Sequence, residues 1–301
     1  MTVGRFAPSP TGRMHAGNIF AALMAWLLAK QDGGHIVLRI EDLDRERSRQ
    51  EYSDALMHDF ELLGLTWDRG PYFQSNRTDI YQEIAHDLES KGLLYPCFCS
   101  RADLHASSAP HVGEKTIYAG TCRNLTRDEI IQHCMTRKPA VRISVRNEVV
   151  TFDDMFQGTF TQNLMRDCGD FLIKRSDDTF AYQLAVVVDD AEQGVDFVVR
   201  GCDLLDSTPQ QIFLQTVLGY SHPKYAHIPM LVAEHGRRLS KRDRDADMGE
   251  LLARFKTPEA ILGFIAGLTG IAPTDAPVSA EELLAIASFA TLESNREILW
   301  T

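Results

Sequence analysis

Residues 5–12 read R-F-A-P-S-P-T-G, and residues 14–18 (M-H-A-G-N) follow after a single arginine. The segment 4–7 is apolar enough to form a first strand. The two prolines keep the next residues out of a helix, because proline lacks an amide donor and biases its predecessor toward extended backbone. Residues 19–30 then have a strongly helical composition. A strand, a tight loop and a helix in this order are typical of the opening of a nucleotide-binding α/β unit.

A second strand is predicted over residues 34–40, whose β-branched and apolar side chains indicate a buried parallel strand. Glu41, Asp42 and Asp44 follow its end, which is where ligands bind in open parallel sheets. Further along the chain we predict helices over residues 50–63, 77–91 and 208–217, strands over residues 140–145, 149–153, 181–188 and 195–199, and a helical tail from residue 251.

The composition is that of an ordinary globular protein. The 301 residues suffice for one large domain or two modest ones, and 44% of them are hydrophobic and 24% charged. The longest apolar run, residues 19–29, is too short to span a membrane, and the N-terminus lacks the features of a secretion signal. Six cysteines in a chain of this size do not indicate a disulfide scaffold. We therefore expect a cytoplasmic protein with no membrane partner.

The net charge of −11 argues mildly against a nucleic-acid partner, since such partners favour a basic surface. Local charge matters more than net charge, however, and a basic strip on an acidic body still binds phosphate. Arginine-rich pieces occur at residues 142–146 and 237–244. Taken alone, each piece is equally well explained as solvated loop charge.

Two separate segments carry the chemistry of phosphate binding: the N-terminal loop and a distant basic motif at residues 238–242 (R-L-S-K-R). Gly12 and Gly17 let the backbone approach a phosphate, and the N-terminus of the following helix adds a positive field. His15 can donate a hydrogen bond to a phosphate oxygen. Lys241 is a mobile point charge suited to a departing pyrophosphate. Either segment alone is a weak signal, because such loops are usually plain turns and such basic clusters usually face solvent.

Taken with E-D-L-D at residues 41–44, the two segments resemble the nucleotide-binding signatures of class I aminoacyl-tRNA synthetases of the glutamyl and glutaminyl type. The similarity covers most of residues 1–250. It extends to R-I-E-D-L-D at 39–44, F-Q-S-N-R at 73–77, Y-Q-L-A-V-V-V-D-D at 182–190 and V-R-G-C-D-L-L-D-S-T-P-Q-Q at 199–211. The family pattern His-Ile-Gly-His becomes H-A-G-N at residues 15–18, and Lys-Met-Ser-Lys-Ser becomes R-L-S-K-R at residues 238–242.

The resemblance implies which residues bind the substrates. The residues expected to hold glutamate are Arg5, Ser9, Glu41, Tyr182 and Arg200. Those expected to bind ATP, which acts with Mg²⁺, are Pro8, Gly12, His15, Gly17, Asn18, Arg238, Leu239, Ser240, Lys241 and Arg242, with His15 and Lys241 catalytic. The chemistry agrees, because an arginine can clamp a side-chain carboxylate bidentately and Glu41 can neutralise the amino group.

The resemblance also implies the architecture. We expect the α/β class: a Rossmann-like doubly wound parallel sheet as catalytic domain, an inserted zinc-containing α+β subdomain and a short helical C-terminal region. Residues 1–96 and 176–250 would form the two halves of the catalytic domain, residues 97–175 the inserted subdomain that contacts tRNA, and residues 251–301 the C-terminal region. Too few residues follow Arg242 for an anticodon-binding domain, so none is expected.

Truncated members of the family with this layout activate glutamate with ATP and transfer it to the queuosine base at the wobble position of tRNA(Asp). The resemblance therefore implies a monomeric ligase whose partners are ATP, L-glutamate and the queuosine-containing anticodon stem-loop of tRNA(Asp). Three alternatives stay open: a truncated glutamyl-tRNA synthetase that charges a tRNA 3′ end, a non-catalytic tRNA-binding module, and an adenylate-forming enzyme for another acid. The pair Arg5 and Arg200 favours a dicarboxylic amino acid, and the presence of His15, Lys241 and Glu41 argues against a non-catalytic module.

Cys97 and Cys99 are too close in sequence for an easy mutual disulfide and are typical of metal ligands. With Tyr118 and Cys122 they form the pattern C-x-C-x18-Y-x3-C. In the truncated family members such cysteines and a tyrosine hold one structural zinc ion, and the resemblance implies the same ligand set here. Histidine is chemically a better zinc ligand than tyrosine, so the fourth ligand stays open. The other candidates nearby are His105, His111 and Cys134.

Replacing Lys241 tests the role of the basic motif. Because this lysine would stabilise the charge on the departing pyrophosphate, Lys241→Ala should reduce glutamate-dependent ATP–pyrophosphate exchange at least about a hundredfold. Isotope exchange measures this directly. Near-normal exchange in the variant would remove Lys241 from the mechanism.

Overall fold

A computed structural model of the chain describes residues 1–100, 103, 117–239, 247–273 and 275–300. The strands are β1 (Val3–Phe6), β2 (His35–Ile40), β3 (Arg69–Phe73), β4 (Leu94–Cys97), β5 (Ala140–Ile143), β6 (Val149–Asp154), β7 (Gly158–Asn163), β8 (Phe171–Lys174), β9 (Phe197–Gly201), β10 (Lys224–Ile228), β11 (Met230–Ala233), β12 (Arg237–Arg238) and β13 (Glu297–Leu299). The α-helices are α1 (Ala16–Lys30), α2 (Gln50–Leu62), α3 (Thr78–Ser90), α4 (Arg127–Cys134), α5 (Tyr182–Glu192), α6 (Thr208–Leu218), α7 (Met248–Phe255), α8 (Pro258–Thr269) and α9 (Ala280–Ile286).

Two blocks of parallel strands form the centre of the fold. β1, β2 and β3 form one block in that order, and β9 pairs with β10 in the other. The blocks meet beside β1, where the Asp196 amide donates to the Val3 carbonyl at 3.1 Å and the Asp196 carboxylate accepts from the Val3 amide at 2.7 Å. This arrangement brings the carboxyl ends of β1, β2 and β9 to one edge, as the sequence predicts for a doubly wound α/β fold.

Helix α1 lies against this sheet and is buried along most of its length. Its sequence is apolar on all sides, which is typical of a helix that packs between two layers. On one side it contacts β1 and β9, and on the other α9 and β11. The helix predicted over residues 19–30 is thus confirmed, and it occupies the centre of the larger hydrophobic core.

The prediction of a strand over residues 181–188 is wrong, because this segment belongs to α5. A valine-rich run that is buried on every side has no periodicity that separates helix from strand. In the structure the run continues into two acidic residues of the same helix, Asp189 and Asp190, which share one arginine partner. Arg39 approaches both carboxylates, with Nη1 at 2.7 Å from Asp190 and Nε at 3.7 Å from Asp189. Neighbouring residues of a strand would point to opposite faces of the sheet instead.

The segment between α3 and α5 is mainly antiparallel. β4, β5 and β8 form one small sheet, and β6 and β7 form a hairpin whose first strand also touches β10. A separate small core lies at the end of β4 and contains Cys97, Phe98, Tyr118 and Cys122.

The C-terminal region is helical through α7, α8 and α9, and it then adds β13 as a parallel neighbour of β11. None of the described helices has the length and apolar character needed to cross a bilayer.

A buried ionic cluster joins β2 to α3 and α5. Arg39 is fully buried, and the Asp189 carboxylate beside it accepts hydrogen bonds from Arg77 Nε at 2.7 Å, Gln74 Nε2 at 2.8 Å and the Tyr81 hydroxyl at 2.8 Å. Burial opposes the charge on Arg39, but the surrounding carboxylates outweigh this effect and raise its pKa. Such a cluster tolerates burial only because its charges are paired and hydrogen-bonded.

The Tyr81 hydroxyl provides a test of this cluster. Tyr81→Phe removes one donor to a buried carboxylate, so the free energy of unfolding should fall by about 1.5–3 kcal/mol. Tyr72 is 36% exposed and serves as the matched control, since Tyr72→Phe should change stability by less than about 0.5 kcal/mol. Denaturant unfolding measures both variants. Equal stabilities would contradict a stabilising role for the buried hydroxyl.

Candidate active site and metal centre

A cavity of about 570 Å³ opens at the carboxyl ends of β1, β2 and β9, within the range of roughly 300–1,000 Å³ that small-molecule sites occupy. Distant parts of the chain form its walls: the loop after β1, the end of β2, the start of α5 and the end of β9. All five residues predicted to hold glutamate line it, namely Arg5, Ser9, Glu41, Tyr182 and Arg200. Four of the residues predicted to bind ATP line it as well, namely Pro8, Gly12, His15 and Asn18.

Two buried arginines give the cavity positive charge. Arg5 and Arg200 are each only 5% exposed. Arg200 Nη1 donates to the Tyr182 hydroxyl oxygen at 3.2 Å. Burial lowers the pKa of Arg5; Asp190 opposes this effect, whereas the guanidiniums of Arg39 and Arg200 reinforce it. An arginine nevertheless keeps its proton at neutral pH, so both side chains present fixed cations.

Glu41 provides the opposite charge in the same cavity. Its Oε1 lies 3.3 Å from Nη2 of Arg39, which donates a hydrogen bond to it. Burial raises the pKa of Glu41, while Arg39 and Arg5 act in the opposite direction. Two guanidiniums and one carboxylate around a cavity suit a ligand with two carboxylates and one amino group, because each ligand charge then meets its opposite.

The loop after β1 is held against both β2 and α1. The Glu41 amide donates to the Pro8 carbonyl at 2.9 Å, and Asn18 Oδ1 accepts from the His15 amide at 3.1 Å, which caps α1. Burial lowers the pKa of His15, so its imidazole is neutral at pH 7. Gly17 lies behind this ring and does not line the cavity; a Cβ there would be 3.1 Å from His15 Cε1. The N-terminus of α1 thus faces the cavity with a neutral donor beside it.

The basic motif is only partly described. Its residues outside the described part of the chain are Ser240, Lys241 and Arg242. The backbone of Arg238 belongs to β12, and Leu239 packs against the larger core. Asp247, the next described residue, forms an antiparallel β-bridge with His15. At Asp247, five residues after the motif, the chain therefore lies beside His15 at the edge of the cavity.

Sequence reasoning missed the residues behind Arg200. Arg200 Nε donates to His227 Nε2 at 3.0 Å, and Nη2 donates to Thr208 Oγ1 at 2.8 Å. His227 Nδ1 in turn lies 2.5 Å from Asp154 Oδ2. Asp154 and His227 are 73 positions apart, and neither belongs to a recognisable motif, so no local signal pairs them. Thr208 alone lies in a stretch that resembles the family.

The metal centre predicted from the cysteines has three sulfur donors close together. The Sγ atoms of Cys97, Cys99 and Cys122 lie within 4.8 Å of one another, with 3.6 Å between Cys99 and Cys122. The Tyr118 hydroxyl oxygen is 3.5 Å from Cys97 Sγ and 3.9 Å from Cys99 Sγ. Sulfurs that bind zinc tetrahedrally at 2.3 Å are about 3.8 Å apart. The four donor atoms therefore fit a zinc ion with no open position.

The surroundings of this cluster favour anionic ligands. The Cys122 amide donates to the Tyr118 hydroxyl oxygen at 2.8 Å, and Arg142 Nε donates to Cys97 Sγ at 3.2 Å. The Arg142 guanidinium also lies 3.9 Å from the centre of the Tyr118 ring. Cys134 is exposed on α4 and does not join the cluster. The alternative ligands that lie outside the described residues are His105 and His111.

Comparison with known proteins identifies the family and the fold. Residues 1–296 match the family model described as tRNA synthetases class I (E and Q), catalytic domain. The chain belongs to this family. It is 42% identical over 305 residues to the Glutamyl-Q tRNA(Asp) synthetase of Symbiobacterium thermophilum, which covers 97% of this chain and 94% of that protein. A protein of the same name from Pseudomonas putida W619 is 43% identical over 242 residues, covering 80% and 77%.

Solved structures with a similar fold support the same family assignment. A glutamate tRNA ligase from Elizabethkingia meningosepticum has a TM-score of 0.83 at 25% identity, over 100% of this chain and 67% of that one. The resemblance and the α/β class I synthetase fold predicted from the motifs are therefore confirmed, and the chain is a ligase of the aminoacyl-tRNA synthetase family.

Metal removal tests the cysteine cluster. A zinc ion there would cross-link the end of β4 to residues 118–122, so chelation should lower the melting temperature by several degrees and release reactive thiols. Cys99→Ser should lose the metal, whereas Cys134→Ser, at an exposed thiol outside the cluster, should keep it. Elemental analysis and thermal melting measure both effects. Carefully purified protein that contains no zinc would contradict the prediction.

Proposed function

We propose that this protein activates L-glutamate with ATP as glutamyl-adenylate and transfers the glutamyl group to the queuosine base at the wobble position of tRNA(Asp). The observation that carries the first step is the convergence of Arg5, Arg200 and Glu41 on one cavity. The name shared by the relatives of similar length supports the second step.

In this proposal the cavity selects glutamate by charge. Glu41 accepts hydrogen bonds from the α-amino group of glutamate, while Arg5 and Arg200 face its carboxylates. The Tyr182 hydroxyl lies beside Arg200. A glutamine side chain would leave a buried guanidinium without its anion. Leaving such a group unpaired is costly, which gives a strong basis for discrimination.

Activation uses the phosphate-binding elements of the same cavity. A carboxylate oxygen of glutamate attacks the α-phosphorus of ATP, the bond to the bridging oxygen breaks, and pyrophosphate leaves. The N-terminus of α1 and the neutral His15 donate to phosphate oxygens, and Lys241 stabilises the leaving group. Mg²⁺ bound with ATP would neutralise further phosphate charge. Most of the acceleration then comes from positioning and charge stabilisation.

Transfer completes the reaction. A hydroxyl of the cyclopentene-diol ring of queuosine attacks the glutamyl carbonyl carbon, an ester forms and AMP leaves. We propose that the enzyme acts as a cytoplasmic monomer, that zinc at Cys97, Cys99, Tyr118 and Cys122 is structural, and that nucleic-acid binding relies on local positive charge. Of the arginine-rich piece at residues 142–146, Arg142 is buried beside Tyr118 while Arg146 is exposed, so only the latter is placed to meet a phosphate.

Transfer of radiolabelled glutamate tests the proposal. With ATP present, label should appear on tRNA(Asp) that carries queuosine, and neither on the same tRNA without queuosine nor on tRNA(Glu). Nuclease digestion and separation of the labelled nucleosides should place the ester on queuosine and not on the terminal adenosine.

The other outcomes separate the alternatives. Label on the terminal adenosine of tRNA(Glu) would make the protein a minimal charging enzyme. No label on any tRNA, together with no glutamate-dependent pyrophosphate exchange, would favour a non-catalytic tRNA-binding module.

A further inference from the structure

A chain of three buried side chains runs from the core to the cavity. Asp154 at the end of β6 contacts His227 on β10, and His227 contacts Arg200 on β9, with the distances of 2.5 Å and 3.0 Å given above. His227 is completely buried, and Asp154 and Arg200 are each 5% exposed. Arg200 lines the cavity, whereas Asp154 and His227 do not.

The partners determine which nitrogen of His227 carries the proton. Arg200 Nε can only donate, so His227 Nε2 must accept with its lone pair. The proton then resides on Nδ1 and is donated to Asp154. Burial lowers the pKa of His227, and Arg200 acts in the same direction while Asp154 opposes it. A neutral His227 imidazole therefore agrees both with its hydrogen bonds and with its lowered pKa.

We propose that His227, oriented by Asp154, is a positioning residue that holds the Arg200 guanidinium in the orientation that binds the carboxylate of the amino-acid substrate. The inference rests on the proposed function in one respect, which is that this carboxylate belongs to glutamate.

The geometry of Arg200 supports this role. Its Nε, Nη2 and Nη1 atoms donate to His227, Thr208 and Tyr182 respectively. These bonds fix the plane of the guanidinium and use three of its five N–H donors, counting contacts among the described residues. Two donors then remain for a ligand in the cavity. A guanidinium that is already oriented loses less entropy on binding, which favours affinity.

A protonated His227 would not serve this purpose. An Nε2–H group would face Arg200 Nε–H at 3.0 Å, so Arg200 Nε would lose its acceptor even if Thr208 Oγ1 accepted from the histidine. A further positive charge would also lie near Arg5. The ionisable or polar groups that face the ring from other elements are Asp154 on β6, Arg200 on β9 and Thr208 on α6. On its own strand, the Tyr225 ring stacks against it at 6.1 Å between centroids. Asp154 alone favours the charged ring, and its Oδ1 is also engaged by the amides of residues 156, 157 and 227.

Two amide substitutions separate the contact of His227 with Arg200 from its contact with Asp154. In His227→Gln the carbonyl oxygen takes the place of Nε2 and still accepts from Arg200, whereas in His227→Asn the amide takes the place of Nδ1 and still donates to Asp154. We expect His227→Asn to raise KM for glutamate at least about tenfold, because Arg200 loses its acceptor. His227→Gln should raise it markedly less. In both variants KM for ATP should change less than about twofold, because the ATP-binding residues are untouched.

The matched control is His222→Asn, which makes the same replacement at an exposed histidine two residues before the start of β10. It should leave both KM values and the melting temperature unchanged. Equal rises in KM for His227→Gln and His227→Asn, accompanied by equal losses of melting temperature, would show a merely structural role and overturn the proposal. Unchanged KM for glutamate in both variants would overturn it as well.

The tautomer can be measured independently of activity. In ¹⁵N-histidine-labelled wild-type protein at pH 7, the His227 Nδ1 signal should be of the protonated, pyrrole type and the Nε2 signal of the unprotonated, pyridine type. The opposite tautomer, or a doubly protonated ring, would contradict the proposal. If the wild-type protein shows no glutamate-dependent exchange, the proposed function fails, while this spectrum still decides whether His227 accepts from Arg200.

Discussion

The buried guanidinium of Arg39 is the interaction on which the rest of the site depends. It lies at the end of β2 and is surrounded by carboxylates at 2.7 Å (Asp190), 3.3 Å (Glu41) and 3.7 Å (Asp189). A buried cation of this kind is tolerated only when oppositely charged groups surround it closely. Pairing with Asp189 and Asp190 holds α5 against β2. Asp190 also lies 3.6 Å from Nε of Arg5 on β1. Three elements of the cavity wall are therefore held by one cluster.

The cavity itself combines fixed charges of both signs in a small volume. Arg5 and Arg200 supply two cations and Glu41 supplies one anion, and all three are held by further buried partners. Because these partners orient the side chains before any ligand arrives, little reorganisation accompanies binding. Groups held in this way are the physical basis of selection by charge, since a ligand with the wrong charges leaves a buried group unpaired. Family membership and the geometry of the cavity thus point to the same class of substrate.

The cysteine cluster has a different physical role from the cavity. Its donor atoms belong to the end of β4 and to residues 118–122, and none of them lines the cavity. The small core around Cys97 and Tyr118 contains few apolar side chains, so it offers little hydrophobic stabilisation of its own. A metal ion with a closed coordination sphere would replace the missing core, as it does in other small metal-bound units.

The sequence by itself determined the elements that obey local rules. The prolines after β1 restrict the backbone directly, and the apolar residues of α1 have the length of a helix, so the opening strand–loop–helix unit was predictable. The motifs along the chain were sufficient for the family, and they named all five glutamate candidates that the cavity brings together. Their substrate roles stay a proposal, since proximity in a cavity is not binding.

Only the tertiary structure decided the features that depend on distant partners. Residues 182–192 form a helix that brings Asp189 and Asp190 close to Arg39, a pairing that the valine-rich run does not show. Likewise, Asp154 and His227 meet behind Arg200 because β6, β10 and β9 lie side by side. Burial then makes each of these contacts strong, since a charged or polar group removed from water needs a partner wherever the chain can supply one. Local sequence patterns specify backbone preferences, whereas the pairing of buried polar groups follows from the packing of the whole chain.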